Sequence, residues 1–417
     1  MNSTPNANNT KVVFTKYEIF MIAILSILQF SVILDFMILS PLGYIVMPAL
    51  KITPSQFGTV VGGYAISACI SGFLVAGFAD KFDRKKLLMF FYVGFVIGTA
   101  FCAVAQSYEM LLGARIFTGI FGGVIGSIGF AIITDLFKIE ARGRVMGFAQ
   151  MSFAASQILG IPAGLFIARH WDWHFTFWMI VIFSTVVGIV IALYMKPITE
   201  HLKYKSGRNP LQHLAKTFTN SQYAKGYLAT AFLATGGFML MPFGSAFSTN
   251  NLKISPDDVI LMFTVTGISS VIMGPIIGKF SDKIGKYKTF VIGSVISFMM
   301  VGIYTNLGPS ELWFVILMNV LLFVGITTRM ISSQALTSAL PQPQDRGAFM
   351  SINSSVMQFS GGIAATIAGK IVSQGPNNEL IHYNTLGYVV MGSIVLGIIL
   401  FYILNEQVQK NLHTTKI

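Results

Sequence analysis

The chain has 417 residues, of which 54% are hydrophobic and only 11% charged, where soluble domains carry roughly 25% charged residues. So few charges cannot cover a water-exposed surface of this size, which excludes a soluble multidomain enzyme, and a disordered chain would need the opposite composition. The net charge of +12 raises the question of nucleic-acid binding, which the placement of the charges answers.

Crossing a ~30 Å hydrocarbon core takes roughly 20 mostly apolar residues. Twelve such stretches are predicted, at 17–40, 56–79, 86–106, 109–136, 144–168, 173–196, 224–247, 258–280, 288–307, 312–340, 347–372 and 383–404. The first is too long for a signal peptide and lacks a small-residue cleavage site after it, so it is expected to stay as an anchor. It holds the one carboxylate deep in a span, Asp35, followed by Phe36 and Met37, whereas Glu18 marks its interfacial start. An ionised Asp at a helix centre costs about 2.5–3.5 kcal/mol and needs a partner or a wet cavity.

The fourth span carries Arg115 and ends at Asp135. Asp35 lies 19 residues beyond Lys16, and Arg115 lies 20 residues before Asp135. At ~1.5 Å per residue the two stand at the same depth, in the outer half of the membrane. In the fifth span Gly160 and Gly164 form a small face that allows close helix approach, and Pro162 between them kinks the helix or frees a carbonyl. Packing and coupling explain this trio equally well.

The outer cluster 169–174 reads as an interfacial aromatic belt. His170 and His174 have i,i+4 metal spacing, but no third ligand supports a metal. Cys69 and Cys102 lie in apolar runs and give neither a disulfide framework nor a metal spacing. The seventh span holds Phe238 and Met239, adaptable side chains suited to varied apolar molecules or to lipid, and Gly236-Gly237 is expected to interrupt its regularity as a hinge. The tenth span holds Asn319 and Arg329. Arg329 lies nearer the midplane than Arg115 and no acid of the second half matches its depth. It faces water, backbone carbonyls, the cavity of Asp35 or a substrate anion, or else it snorkels. Two arginines against one aspartate favour anionic or zwitterionic substrates over lipophilic cations.

With the N-terminus inside, 22 of the 28 Lys and Arg residues fall in cytoplasmic segments and only Lys51, Arg169, Lys253 and Lys370 fall outside. This positive-inside pattern places both termini in the cytoplasm and turns the +12 toward anionic inner-leaflet lipid. No basic patch interleaved with aromatics remains for nucleic acid. The expected organisation is a tail at 1–16, a six-helix bundle at 17–196, a cytoplasmic linker at 197–222, a second six-helix bundle at 223–405 and a tail at 406–417.

The two bundles repeat each other. Residues 50–88 lie on 252–290 without a gap, Leu50-Lys51-Ile52-Thr53-Pro54 falling on Leu252-Lys253-Ile254-Ser255-Pro256 and Asp80-Lys81 on Asp282-Lys283. Parallel repeats of this kind build transporters whose substrate path runs between the halves near the midplane.

Ala76-Gly77-Phe78-Ala79-Asp80-Lys81-Phe82-Asp83-Arg84-Lys85-Lys86 resembles the signature G-x-L-A-D-R-x-G-R-K of the major facilitator superfamily, and Gly278 to Lys286, with Asp282 and Gly285, is a second copy. Ala114 to Gly119 is similar to the R-x-x-x-G element of that family's fourth helix, and Leu159 to Gly164 is similar to its antiporter signature G-P-x-x-G, with Ile161 intervening. The resemblance implies an all-α integral membrane protein with twelve helices in two pseudo-symmetric bundles, the major facilitator fold, close to the drug:proton antiporter branch.

It further implies that Gly77, Asp80, Arg84, Asp135, Asp282 and Gly285 belong to a cytoplasmic latch, with an ordinary solvated loop as the alternative. It sets helices 1 and 4 side by side, so that Asp35 and Arg115 pair and face the central cavity with Phe36, Met37, Phe238, Met239, Asn319 and Arg329. A carboxylate so placed can carry a proton, or it can form a static pair that holds helix register.

The expected function is proton-coupled export of small molecules by alternating access. A sugar or organic-anion permease is the alternative, and a membrane-embedded enzyme or receptor is the alternative from another class. The expected partners are a small-molecule substrate, protons and the lipid bilayer of a bacterial inner membrane, with a functional monomer, no cofactor and no metal.

Overall fold

The computed structural model describes residues 14–76, 79–203, 210–342 and 345–414. Among them the chain is almost wholly helical, because apolar residues inside a membrane leave each backbone N–H and C=O to be satisfied within its own segment. The first half comprises α1 (Lys16–Ile38), α2 (Gly43–Leu50), α3 (Pro54–Ala76), α4 (Arg84–Cys102), α5 (Tyr108–Leu136), α6 (Ile139–Ala155), α7 (Ile161–His170) and α8 (Trp173–Tyr194). The second half follows with α9 (Pro210–Phe218), α10 (Ser221–Leu240), α11 (Gly244–Ala246), α12 (Pro256–Ile284), α13 (Lys286–Tyr304), α14 (Leu312–Ser338), α15 (Arg346–Ile371), a hairpin of β1 (Ser373–Gln374) and β2 (Leu380–Ile381), and α16 (Tyr383–Thr414).

Eleven helical stretches among the described residues are long and apolar enough to cross a membrane, against the twelve expected. The stretch predicted at 347–372 is a 26-residue helix, α15, that is not among the eleven. Its Ser351, Asn353, Ser354, Gln358 and Ser360 dilute its hydropathy, and it can carry them because it packs against α3 and α10 rather than standing wholly in lipid.

The internal repeat appears in the backbone. Lys51 and Lys253, equivalent in the two halves, both take positive φ, 53° and 61°, a conformation uncommon for any residue but glycine. Each is followed by a matching helix start. The Thr53 hydroxyl accepts the Gln56 N–H at 3.3 Å, the Ser255 hydroxyl accepts the Asp258 N–H at 3.1 Å, and Pro54 and Pro256 open their helices. A hydroxyl cap before a proline at the first helical position is a strong start signal.

Packing shows how the halves meet. At the end carrying the few expected outer charges, one apolar core runs through both, from Leu42, Val46 and Phe57 to Phe243, Ala365 and Leu386. At the opposite end the cores are separate, one built on Met21, Phe91 and Ile132 and another on Tyr227, Phe349 and Phe401. The seam at the fused end is tight. A Cβ added to Gly62 would lie 2.4 Å from the Gly362 carbonyl oxygen, so α3 and α15 approach as closely as only glycine permits.

At the separate end the short helix α9 is tied to the second half. His213 Nε2 lies 2.9 Å from Asp345 Oδ1, and the Tyr223 hydroxyl donates to Asp345 Oδ2 at 2.8 Å. The hydrogen bond from His213, with that from Tyr223, holds the Asp345 carboxyl below the usual carboxylate range. A depressed pKa contributes stability at pH values above the ordinary carboxylate pKa and loses it as pH falls through the depressed one. Asp345→Asn is therefore expected to lower the unfolding free energy by about 1–2 kcal/mol at pH 7, and the difference from wild type is expected to shrink on acidification. Thermal melts across pH check this, and an unchanged difference at acid pH contradicts it.

Candidate functional site

Asp35 on α1 and Arg115 on α5 form an ion pair, with Arg115 Nη1 donating to Asp35 Oδ2 at 2.8 Å. The same nitrogen donates to the Asp35 carbonyl oxygen at 3.1 Å. The Thr99 hydroxyl of α4 donates to Asp35 Oδ1 at 3.2 Å, and the Arg115 guanidinium lies 4.4 Å from the centre of the Tyr64 ring on α3. Three helices thus meet at one carboxylate, and a fourth, α3, covers its arginine. Both Asp35 and Arg115 are 0% exposed, and neither lines the cavity between the halves. This corrects the expectation that the pair faces that cavity. The pair instead occupies a buried position inside the first half, where removing one partner of a buried, hydrogen-bonded pair is far costlier than at a surface.

The cavity lies between the halves and measures about 120 Å³. Met37, Asn319 and Arg329 line it, two residues beyond Asp35 in the case of Met37. Phe36, Phe238 and Met239 do not line it. Phe36 packs between Tyr64 and Phe238, with ring centres 5.2 and 5.9 Å away, and so joins the ion-pair site to the second half. Met239 is buried in the shared core. Gly236 and Gly237 border the cavity, but α10 runs unbroken through them. The irregularity comes later, in a 3₁₀ turn at Met241–Phe243 and a π-turn at Phe247–Asn251.

Around Asn319, sequence reasoning passed over the rest of a polar wall of this cavity. Tyr304 bonds through its hydroxyl to Ser248 at 2.8 Å, and the Thr266 hydroxyl donates to Asn319 Oδ1 at 3.0 Å. Uncharged polar residues in apolar helices are too common to signal a site by themselves. Only their convergence from α12, α13 and α14 marks them.

The fifth-span element is a π-turn, Ser156–Gly160, followed by α7 with Pro162 in its first turn. A proline lacks the N–H that a continuous helix needs, and π-turns within helices often mark functional positions. Gly160 and Gly164 let this segment close onto α1. Added Cβ atoms would lie 2.5 Å from Leu34 Cδ1 and 2.6 Å from Ile38 Cδ1, on either side of Asp35. The Ser152 and Ser156 hydroxyls donate to the Ser26 and Phe30 carbonyls of α1.

Of the loop-motif residues, Gly77 and the Asp80 side chain lie outside the described residues. Arg84 Nε donates to Asp135 Oδ2 at 2.9 Å, linking α4 and α5 within the first half. Asp282 pairs with Lys286, and Gly285 turns the chain between α12 and α13 at φ 98°, a value that only glycine takes freely. His170 and His174 turn to separate carbonyl oxygens, of Phe166 and Ala105.

The sequence profile of the Major Facilitator Superfamily matches residues 25–241 and again 226–416. The chain belongs to this superfamily. As a major facilitator protein it is a transporter that moves small molecules across a membrane, not an enzyme. It is 25% identical over 395 residues to YbcL, an MFS-type transporter of Bacillus subtilis (strain 168), covering 94% of this chain and 98% of that one. The multidrug resistance protein 3 of the same organism is 34% identical over 151 residues, 36% of this chain and 29% of that one. Among solved structures a D-xylose-proton symporter shares the fold with a TM-score of 0.74 at 16% identity, covering 91% of this chain and 97% of the other.

Proposed function

We propose that this major facilitator protein is a proton-coupled exporter of small molecules that works by alternating access, with Asp35 as the proton carrier. The observation that carries the reading is the Asp35–Arg115 pair, buried, bonded among α1, α4 and α5 and faced by the Tyr64 ring of α3, two residues from the cavity lining at Met37. An ionised Asp35 holds Arg115 by charge. When the carboxylate takes a proton the charge attraction ends, and the grip of Arg115 on the α1 backbone weakens with it. That backbone carries Phe36 and Met37, so a change at the acid is felt at the seam and in the cavity. The resemblance to a multidrug resistance protein and the antiporter-like fifth-span element support export. The Arg84–Asp135 pair and the Asp282–Gly285 turn are proposed to belong to the cytoplasmic gate. The positive-inside pattern supports a bacterial inner membrane with both termini in the cytoplasm.

A second reading, a static register-holding pair, is favoured by the complete burial of both partners. The two readings part on one experiment. In proteoliposomes with an imposed pH gradient, Asp35→Asn is expected to lose uphill transport by the coupled route while keeping the fold. Coupled transport that survives the substitution supports the static pair.

A further inference from the structure

The cavity holds a charge that the protein does not answer. Arg329 is 3% exposed, and its Nε and Nη2 are buried without a hydrogen-bond partner. An arginine stays protonated in proteins, so neutralisation does not relieve this burial. Its guanidinium lies 5.8 Å from the centre of the Phe290 ring, a weak substitute for an anion. Gly236 and Gly397 lie beside it, where added Cβ atoms would stand at ordinary contact distance, 3.5 and 3.7 Å, from its Nη1 and Nη2. Among the described residues, Arg329 is the only charged one lining the cavity. Asp35, the one carboxylate deep in a span, is engaged by Arg115 and Thr99. The Ser297 hydroxyl, also on the lining, is buried and unpartnered. The rest of the wall is mainly apolar, with Met37, Leu240, Met262, Phe263 and Ile326 among its members.

We propose that the transported molecule is a small amphipathic anion, whose carboxylate or equivalent acidic group docks on Arg329 and whose apolar body fills the remaining cavity. This rests on the reading of the cavity as the transport site. The complementarity is one of charge and shape: planar donors meet a planar oxyanion, and an apolar wall meets a ring or short chain. A cavity of about 120 Å³ is smaller than the ~150 Å³ that admits benzene, so the ligand is compact or the halves part to receive it. A cation is disfavoured because it would share an enclosed space with a fixed guanidinium.

The test is binding by the purified full chain in lipid nanodiscs of three probes matched in size: benzoate, benzamide and benzylammonium. Titration calorimetry reads affinity without reference to proton movement. Benzoate is expected to bind about ten- to a hundred-fold more tightly than benzamide, the range of one charge-assisted contact, and benzylammonium most weakly. Arg329→Gln should erase the preference and Arg329→Lys should restore part of it. Wild-type protein that does not prefer benzoate over benzamide overturns the proposal, whether it binds both equally or neither, and this comparison needs no variant to fold. Charge-selective binding without proton coupling would remove the coupling account alone, and coupled transport with charge-blind binding would remove this inference alone.

Discussion

Arg115→Ala is expected to destabilise the protein by about 3–5 kcal/mol at neutral pH, the cost of leaving a buried charge without its partner. The guanidinium makes two bonds through Nη1, to the Asp35 carboxylate and to the Asp35 carbonyl, and among the described residues no other cation lies within salt-bridge reach of Asp35. The loss differs from an ordinary truncation because the orphaned acid can take a proton. Stability of the variant should therefore recover as pH falls, where wild type shows no such gain. Asp35→Asn in the same chain should restore much of the loss at neutral pH, giving a coupling energy well outside simple additivity. Unfolding followed in detergent across pH checks both points. A loss that is independent of pH and of residue 35 would mean that Arg115 contributes packing and little else.

The second large effect is expected at the seam. Gly62→Leu places a side chain where a Cβ alone would meet the Gly362 carbonyl at 2.4 Å and Thr366 Oγ1 at 2.5 Å. Both neighbours belong to α15, and the carbonyl is backbone, which cannot swing away. Overpacking of this kind costs about 1–3 kcal/mol, enough to shift a two-state balance by roughly 5- to 150-fold against the closed seam. A reporter cysteine at Ser40, which is buried and whose carbonyl accepts the Ser245 hydroxyl of the second half at 3.1 Å, should then react with a membrane-impermeant thiol reagent from the outer face, in a background where Cys69 and Cys102 are replaced. Transport should fall at least tenfold. Gly62→Ala should lie between the two. Unaltered labelling would show that the α3–α15 contact does not close the outer face.

Much of this architecture is legible in the sequence because membrane burial imposes a length and an apolarity on each span. The repeat was legible at residue level, since Thr53-Pro54 and Ser255-Pro256 carry a capping logic that does not depend on distant contacts. The helix α15 shows where hydropathy stops being informative. A helix that turns part of its surface to protein keeps Ser, Asn and Gln, and its place is set by α3 and α10. The end of α10 was hidden for a similar reason, because Gly236 is accommodated in the helix by packing beside Ser393 and Arg329, and the irregular stretch follows instead at 241–251.

In the site, the matched depth of Asp35 and Arg115 could be counted from surface markers, but which way the pair faces could not. Depth is one coordinate along a helix, and azimuth depends on neighbours. Phe36, Phe238 and Met239 show the same gap: they sit beside the cavity without lining it, whereas Met37, Asn319 and Arg329 do line it. The polar wall of Thr266 and Tyr304 needed three helices in place before it could be seen.

The central claim, that Asp35 carries the proton, is tested most directly by paired fluxes in proteoliposomes. Substrate exchange across equal concentrations needs no gradient, whereas accumulation against a gradient needs proton coupling. Asp35→Asn is predicted to keep exchange near the wild-type rate and to abolish both accumulation and substrate-induced proton movement. Accumulation at the wild-type level, with proton movement intact, would contradict the account.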